Sequence, residues 1–290
     1  MSMAAAIVAL LAALSYAVGS VAQQKAAAEV PTGEATGTRL LLRLVRRPLW
    51  VVGVMGDALG YAGQAVALGL GSLVLVQPLL VTSLLFALPL SAVWAGRRLR
   101  PSDGAWALLL TAGLAAFVVV GDPSGGRDTA PLGSWLATAA VLGPVVVGCL
   151  IGAQLSASAR AVLLAVVTGI LFGVTAALTK STISVLGDGV GELLTSWELY
   201  ALVVAGAGGF LTQAEAFQAG SLQASLPVMT VLDPVVAGLL GVTILHEDVK
   251  ATGAEWAVIV VAVAVMTAAT VALARGAAAL EPDSSRPSGP

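Results

Sequence analysis

The sequence predicts an all-α integral membrane protein with about nine transmembrane helices in two inverted repeats. Three observations carry that prediction. Of the 290 residues, 58% are hydrophobic and 10% are charged, with a mean hydropathy of +0.96, whereas a water-soluble domain is about 25% charged. The apolar residues fall into runs long enough to cross a bilayer, and one polar stretch occurs twice.

A hydrocarbon core of roughly 30 Å takes about 20 apolar residues per helix. That rule predicts spans at 4–22, 49–70, 72–95, 105–121, 134–153, 161–180, 199–218, 222–245 and 254–275. Residues 4–22 end in SVA before Gln23, a small-residue pattern shared with signal-peptide cleavage sites. No basic segment precedes them, however, and LSYAVGSVAQQK at 14–25 matches ILFGVTAALTK at 170–180 in its aromatic, its small residues and its terminal lysine. The run is therefore expected to be the first span. Trp50, Trp94, Trp106, Trp135, Trp197 and Trp256 all fall at or near span ends, where indole rings prefer the membrane boundary.

Orientation follows from the basic residues, because basic loops stay in the cytoplasm. Loops after odd-numbered spans, with the tail, hold Lys25, Arg39, Arg43, Arg46, Arg47, Arg97, Arg98, Arg100, Arg160, Arg275 and Arg286. The other side holds Arg127, Lys180 and Lys250, an asymmetry of eleven to three. The N-terminus is thus expected outside the cell membrane and the C-terminal tail in the cytoplasm. Residues 277–290, polar and proline-rich, are expected to be disordered.

The repeated stretch is GYAGQAVALGLGSLVLVQP at 60–78, which matches GFLTQAEAFQAGSLQASLP at 209–227 without gaps at eight of nineteen positions, an offset of 149 residues. The helix that follows ends in Arg97 and Arg98 in the first copy and in His246 and Glu247 in the second. Basic in one copy and acidic in the other is what two copies of opposite orientation require. The expected division is a first repeat over 1–122, a linking helix within 123–160 that inverts the second copy, and a second repeat over 161–276. Inverted repeats of this kind recur in secondary transporters, with the substrate site near the midplane where the halves meet.

The paired pattern GxxxQAxAxxxGSLxxxxP, followed by an apolar helix and a charged end such as HED at 246–248, resembles the drug/metabolite transporter superfamily with its EamA-type duplicated halves. The helix number and the run WVVGVMGDALGYAGQAVALGLGSLVLVQPLL from Trp50 resemble its NIPA-like branch, whose characterised members are described as magnesium transporters. Two departures separate the chain from that branch: the usual superfamily halves have five helices each, and Tyr61 and Gln64 stand where the magnesium branch has acidic and asparagine positions. The resemblance implies transport and leaves the cargo open.

Candidate site residues follow from the cost of polar groups in lipid. An ionisable group inside a span costs about 2.5–3.5 kcal/mol on insertion scales and marks a functional position by default. Asp57, Glu215 and Asp233 qualify. Asp233 lies about 16 Å from either end of its span at 1.5 Å per residue. It precedes Pro234, which disfavours α geometry before it and cannot donate to the carbonyl of Thr230. With Pro227 two turns earlier, and Pro78 as the mate of Pro227, the pattern predicts a broken helix whose Asp233 carboxylate and Thr230 carbonyl bind a proton, a cation or an amine substrate. A kinked helix with Asp233 hydrogen-bonded to a neighbour is the plainer alternative. Asp57 is equally open to a cavity role or an interhelical bond, and Glu215 is near enough to the interface to reach water. Gln64 and Gln213, equivalent in the two copies, are placed to line the cavity or to bridge helices. Gly71 and Gly220 read as tight turns.

The lone Cys149 and lone His246 give no metal or redox set, and the scattered basic residues give no nucleic-acid footprint. No GxxxxGK[ST] loop for nucleotide occurs. No enzyme and no cofactor are expected. Three functions remain: a secondary transporter of a small metabolite or drug-like solute, with possible proton or cation coupling; a magnesium transporter, since Mg²⁺ favours one or two carboxylates and retained waters; and a non-transporting membrane scaffold.

Overall fold

The computed structural model describes residues 3–28, 47–94, 100–123, 125–156, 158–219 and 222–280, and no strand forms among them. The helices are α1 (Met3–Ala28), α2 (Pro48–Leu70), α3 (Leu73–Leu80), α4 (Ser83–Trp94), α5 (Pro101–Gly121), α6 (Leu132–Leu155), α7 (Arg160–Asp188), α8 (Val190–Thr195), α9 (Trp197–Ala219), α10 (Leu222–Thr243) and α11 (Glu255–Leu280). Among the described residues, seven segments are long and apolar enough to cross a membrane: α1, α2, α3 with α4, α5, α6, α7 and α11. The chain is a multi-pass, all-helical membrane protein. Of the two other expected spans, 199–218 is covered by the 23-residue α9 and 222–245 by α10, whose apolar part is Pro227–Thr243.

Three expectations change. The 161–180 span continues to Asp188, so Lys180 is not a loop residue but sits two turns inside a helix. Helix α10 runs through both Pro227 and Pro234 without interruption, so no break occurs at Asp233. The break lies in the first half, at Val81 and Thr82 between α3 and α4, one turn past Pro78. There the carbonyl of Leu79 accepts both the backbone N–H of Thr82 at 3.1 Å and its hydroxyl at 2.5 Å, local bonds of the kind that satisfy the backbone where a membrane helix is interrupted. Gly71 does turn the chain between α2 and α3. The expected turn at Gly220, the basic loop positions Arg39, Arg43, Arg46, Arg97 and Arg98, and the tail from 281 lie outside the described residues. The first four residues of that expected tail continue α11.

Helix α7 is the axis of the bundle. Fifteen of its residues are buried, and α2, α6, α9 and α10 all pack against it. Helix α1 packs along α2 and against α3 and α4, and α11 lies against α5 and α10. Small residues set these approaches, because helices in lipid associate through close van der Waals contact. A Cβ on Gly56 would stand 2.8 Å from Gly19 Cα, and a Cβ on Gly173 would stand 2.8 Å from the carbonyl oxygen of Asp233.

Two of these seams share their register. Between α1 and α2, Ala12 meets Gly63, the Tyr16 ring covers Gly60 so that a Cβ there would stand 2.8 Å from it, and Gly19 faces Asp57. Between α7 and α9, Thr168 bonds Thr212 at 3.0 Å, and Cβ atoms on Gly209 and Gly206 would stand 2.6 Å from the Phe172 ring and 3.8 Å from Thr175 Cγ2. Gly60, Gly63 and Asp57 lie 149 residues before Gly209, Thr212 and Gly206.

Candidate functional site

The three carboxylates within the spans meet different surroundings. Asp57, on α2, accepts a hydrogen bond from Gln23 Nε2 of α1 at 2.5 Å. Gly19 leaves the space that its carboxyl fills. One turn further along α1, Tyr16 donates its hydroxyl to Gln64 Oε1 at 2.8 Å. Tyr61, on the same helix as Asp57 and Gln64, shares a hydrogen bond with Thr179 of α7 at 3.0 Å, so the polar face of α2 reaches both α1 and α7.

Asp233 approaches from α10. Gly169 and Gly173 on α7 admit its backbone closely, with Asp233 N at 3.4 Å from a Cβ on Gly169. The Tyr16 phenol lies within coulombic reach of Asp57, Tyr61 and Asp233. Asp233 Oδ1 is buried and accepts no hydrogen bond, a condition that costs about 1–3 kcal/mol for an ordinary buried polar group and calls for a reason. Thr230, one turn earlier, has an interaction of its own.

Glu215 and Gln213 do not join this group. Glu215 pairs with Arg160 at 3.7 Å, with both side chains about half exposed, and exposed pairs of this kind contribute little. Gln213 Nε2 lies 3.8 Å from Met229 Sδ. The difference from Gln64 has a direct cause: Phe172 occupies the place of Tyr16 and has no hydroxyl to offer. Pro78 lies in α3, and Pro227 and Pro234 lie inside the continuous α10.

Sequence reasoning missed Tyr16, Gln23 and Thr179, although Tyr16 stands in the stretch whose likeness to 170–180 was legible. It also missed a buried ion pair. Lys180 Nζ lies 2.6 Å from Glu247 Oε1, with the lysine side chain 3% and the glutamate side chain 0% exposed. Glu247 also accepts the backbone N–H groups of Leu73 at 2.7 Å and Val74 at 2.8 Å. Assigning Lys180 and Glu247 to solvent-facing loops hid them. Among the described residues, no three His, Cys, Asp or Glu side chains converge as a metal site.

The chain is 37% identical over 274 residues to an uncharacterized protein of Corynebacterium glutamicum, a match that covers 93% of this chain and 94% of that protein. The chain belongs to that protein's family. No protein-family model matches it, and no solved structure does.

Proposed function

We propose that this protein is a secondary transporter of the drug/metabolite type, moving a small polar solute across the cell membrane by alternating access. The observation that carries the proposal is the buried, unpartnered Oδ1 of Asp233 on α10, within charge–charge range of Tyr16 on α1, the helix to which the half-buried Asp57 of α2 is bonded through Gln23. Lipid-embedded scaffolds have no use for such groups, whereas proton and substrate relays are built from them. Helices α9 and α10 complete nine crossings in this reading, with the N-terminus outside and the tail in the cytoplasm.

The shared register of the two seams supports inverted repeats, with α1 and α2 in one half and α7 and α9 in the other. Helix α6 then supplies the odd crossing. A magnesium transporter is the second reading, favoured by two carboxylates, Asp57 and Asp233, both within charge–charge range of Tyr16, since Mg²⁺ is often held through one or two carboxylates and its own waters. Uptake by the purified protein in vesicles, comparing labelled organic solutes with Mg²⁺ under an imposed pH gradient, separates the two. Accumulation of an organic solute that Asp233→Asn abolishes is the expected result; gradient-independent Mg²⁺ uptake selects the second reading, and no uptake of either rejects both.

A further inference from the structure

At one end of the bundle, Leu70, Gly71, Pro123, Gly126 and Lys180 border an open cavity of about 240 Å³. Lys180, which lines it, is paired with the fully buried Glu247. Because the Glu247 carboxylate also holds the first two N–H groups of α3, it joins three separate elements: α3, α7 and the segment after α10. Charge-assisted bonds of this kind are strong, and the positive end of a helix favours a carboxylate. Gly126, in a left-handed conformation at φ +93°, makes room for Glu247, whose Cα would be 3.1 Å from a Cβ there.

Two further observations give the pair a direction in which to change. Asp128 stands at the rim, 70% exposed and 3.9 Å from Lys180 Nζ, as a second carboxylate within the lysine's reach. On α3 and α7, one turn past Val74 and next to Lys180, Gln77 Nε2 and Ser181 Oγ are buried without hydrogen-bond partners.

We propose that the Lys180–Glu247 pair is the gate that closes the transport path at this end. While Glu247 holds both Lys180 and the first turn of α3, the two halves are pinned and the cavity is cut off from Asp233. On opening, Lys180 passes from Glu247 to Asp128, α3 is released, and Gln77 and Ser181 offer their free hydrogen-bonding groups to the solute. The inference rests on the transporter reading and assigns its gate.

Leu75 lines the cavity yet is 1% exposed, so Leu75→Cys in a Cys149→Ser background reports opening. In membranes made leaky to a maleimide reagent, Glu247→Gln is expected to raise the labelling rate about tenfold, the effect of roughly 1.4 kcal/mol. Lys180→Met is expected to raise it less, since Glu247 keeps the α3 amides. A second arm leaves the pair intact. A Cβ on Gly69 would lie 2.9 Å from Ile183 Cγ2, so Gly69→Cys with Ile183→Cys can form a disulfide between α2 and α7 at the same end. Oxidation is expected to stop uptake and reduction to restore it. Unchanged labelling in Glu247→Gln, or full uptake by the oxidised pair, overturns the gate. Faster labelling in a protein that moves no solute keeps the pin between the halves and rejects the transporter reading.

Discussion

Asp233 is the residue on which charge movement is expected to depend. Asp233→Asn keeps the volume and removes the charge, so the protein should insert and fold while coupled uptake falls tenfold or more, a loss of about 1.4 kcal/mol or greater in transition-state terms. Wild-type uptake with unchanged pH dependence would return Asp233 to a packing role. The two glutamines are expected to part company. Gln64→Leu removes the acceptor of the Tyr16 hydroxyl and should shift apparent substrate affinity, whereas Gln213→Leu, whose amide meets only a thioether at 3.8 Å, should leave the affinity constant within twofold of wild type. Concentration dependence of uptake measures both. Residue identity at these positions was legible in the sequence because charge and amide groups stand out in an apolar run. Their partners were not, because Tyr16 and Thr179 are ordinary residues in membrane helices and become informative only when another helix faces them.

Helix pairing is where small residues matter. Gly56→Ala places a methyl group 2.8 Å from Gly19 Cα and 3.1 Å from the Ser15 carbonyl oxygen, both backbone atoms that cannot rotate away. Overpacking of this sort costs about 1–3 kcal/mol, and the midpoint of thermal unfolding in detergent should fall accordingly. Gly148→Ala, where nothing lies within 4 Å, should hold or raise that midpoint, since Ala exceeds Gly in helix propensity by about 1 kcal/mol. Equal midpoints for the two variants would remove close packing of α1 on α2 as the reason for the glycines. Most helix positions followed from hydropathy, but the interruption did not. Proline statistics pointed to α10, with two prolines, yet neighbours of a buried helix can re-satisfy its backbone and keep it continuous, and the chain turned instead at Val81 and Thr82.

The arrangement of the whole molecule is tested by sidedness. A cysteine at Arg100 should be shielded from an impermeant reagent outside the cell, and one at Gly189, between α7 and α8, should react; the reverse would invert the orientation drawn from the basic residues. Moving Lys180 into the helix strengthens that charge asymmetry, because one of the three exceptions is no longer in a loop. Hydropathy could anticipate an all-helical membrane protein and the offset of 149 could suggest its doubling. Neither could show that α7 would be the axis, since burial along α7 depends on which faces the other helices leave uncovered.

Phe172 lies where symmetry would place a second Tyr16, and its missing hydroxyl has an energetic meaning. In the transporter proposed above, built of two inverted halves, facing one way and facing the other would be the same shape with the roles exchanged, so identical halves would populate both states equally. Each bond present in only one half removes that degeneracy. In that proposal a hydrogen bond of about 1 kcal/mol that holds in only one of the two states would bias their populations roughly fivefold, so the Tyr16–Gln64 and Gln23–Asp57 bonds of one seam, set against the Thr168–Thr212 bond of the other, would give the protein a preferred resting state.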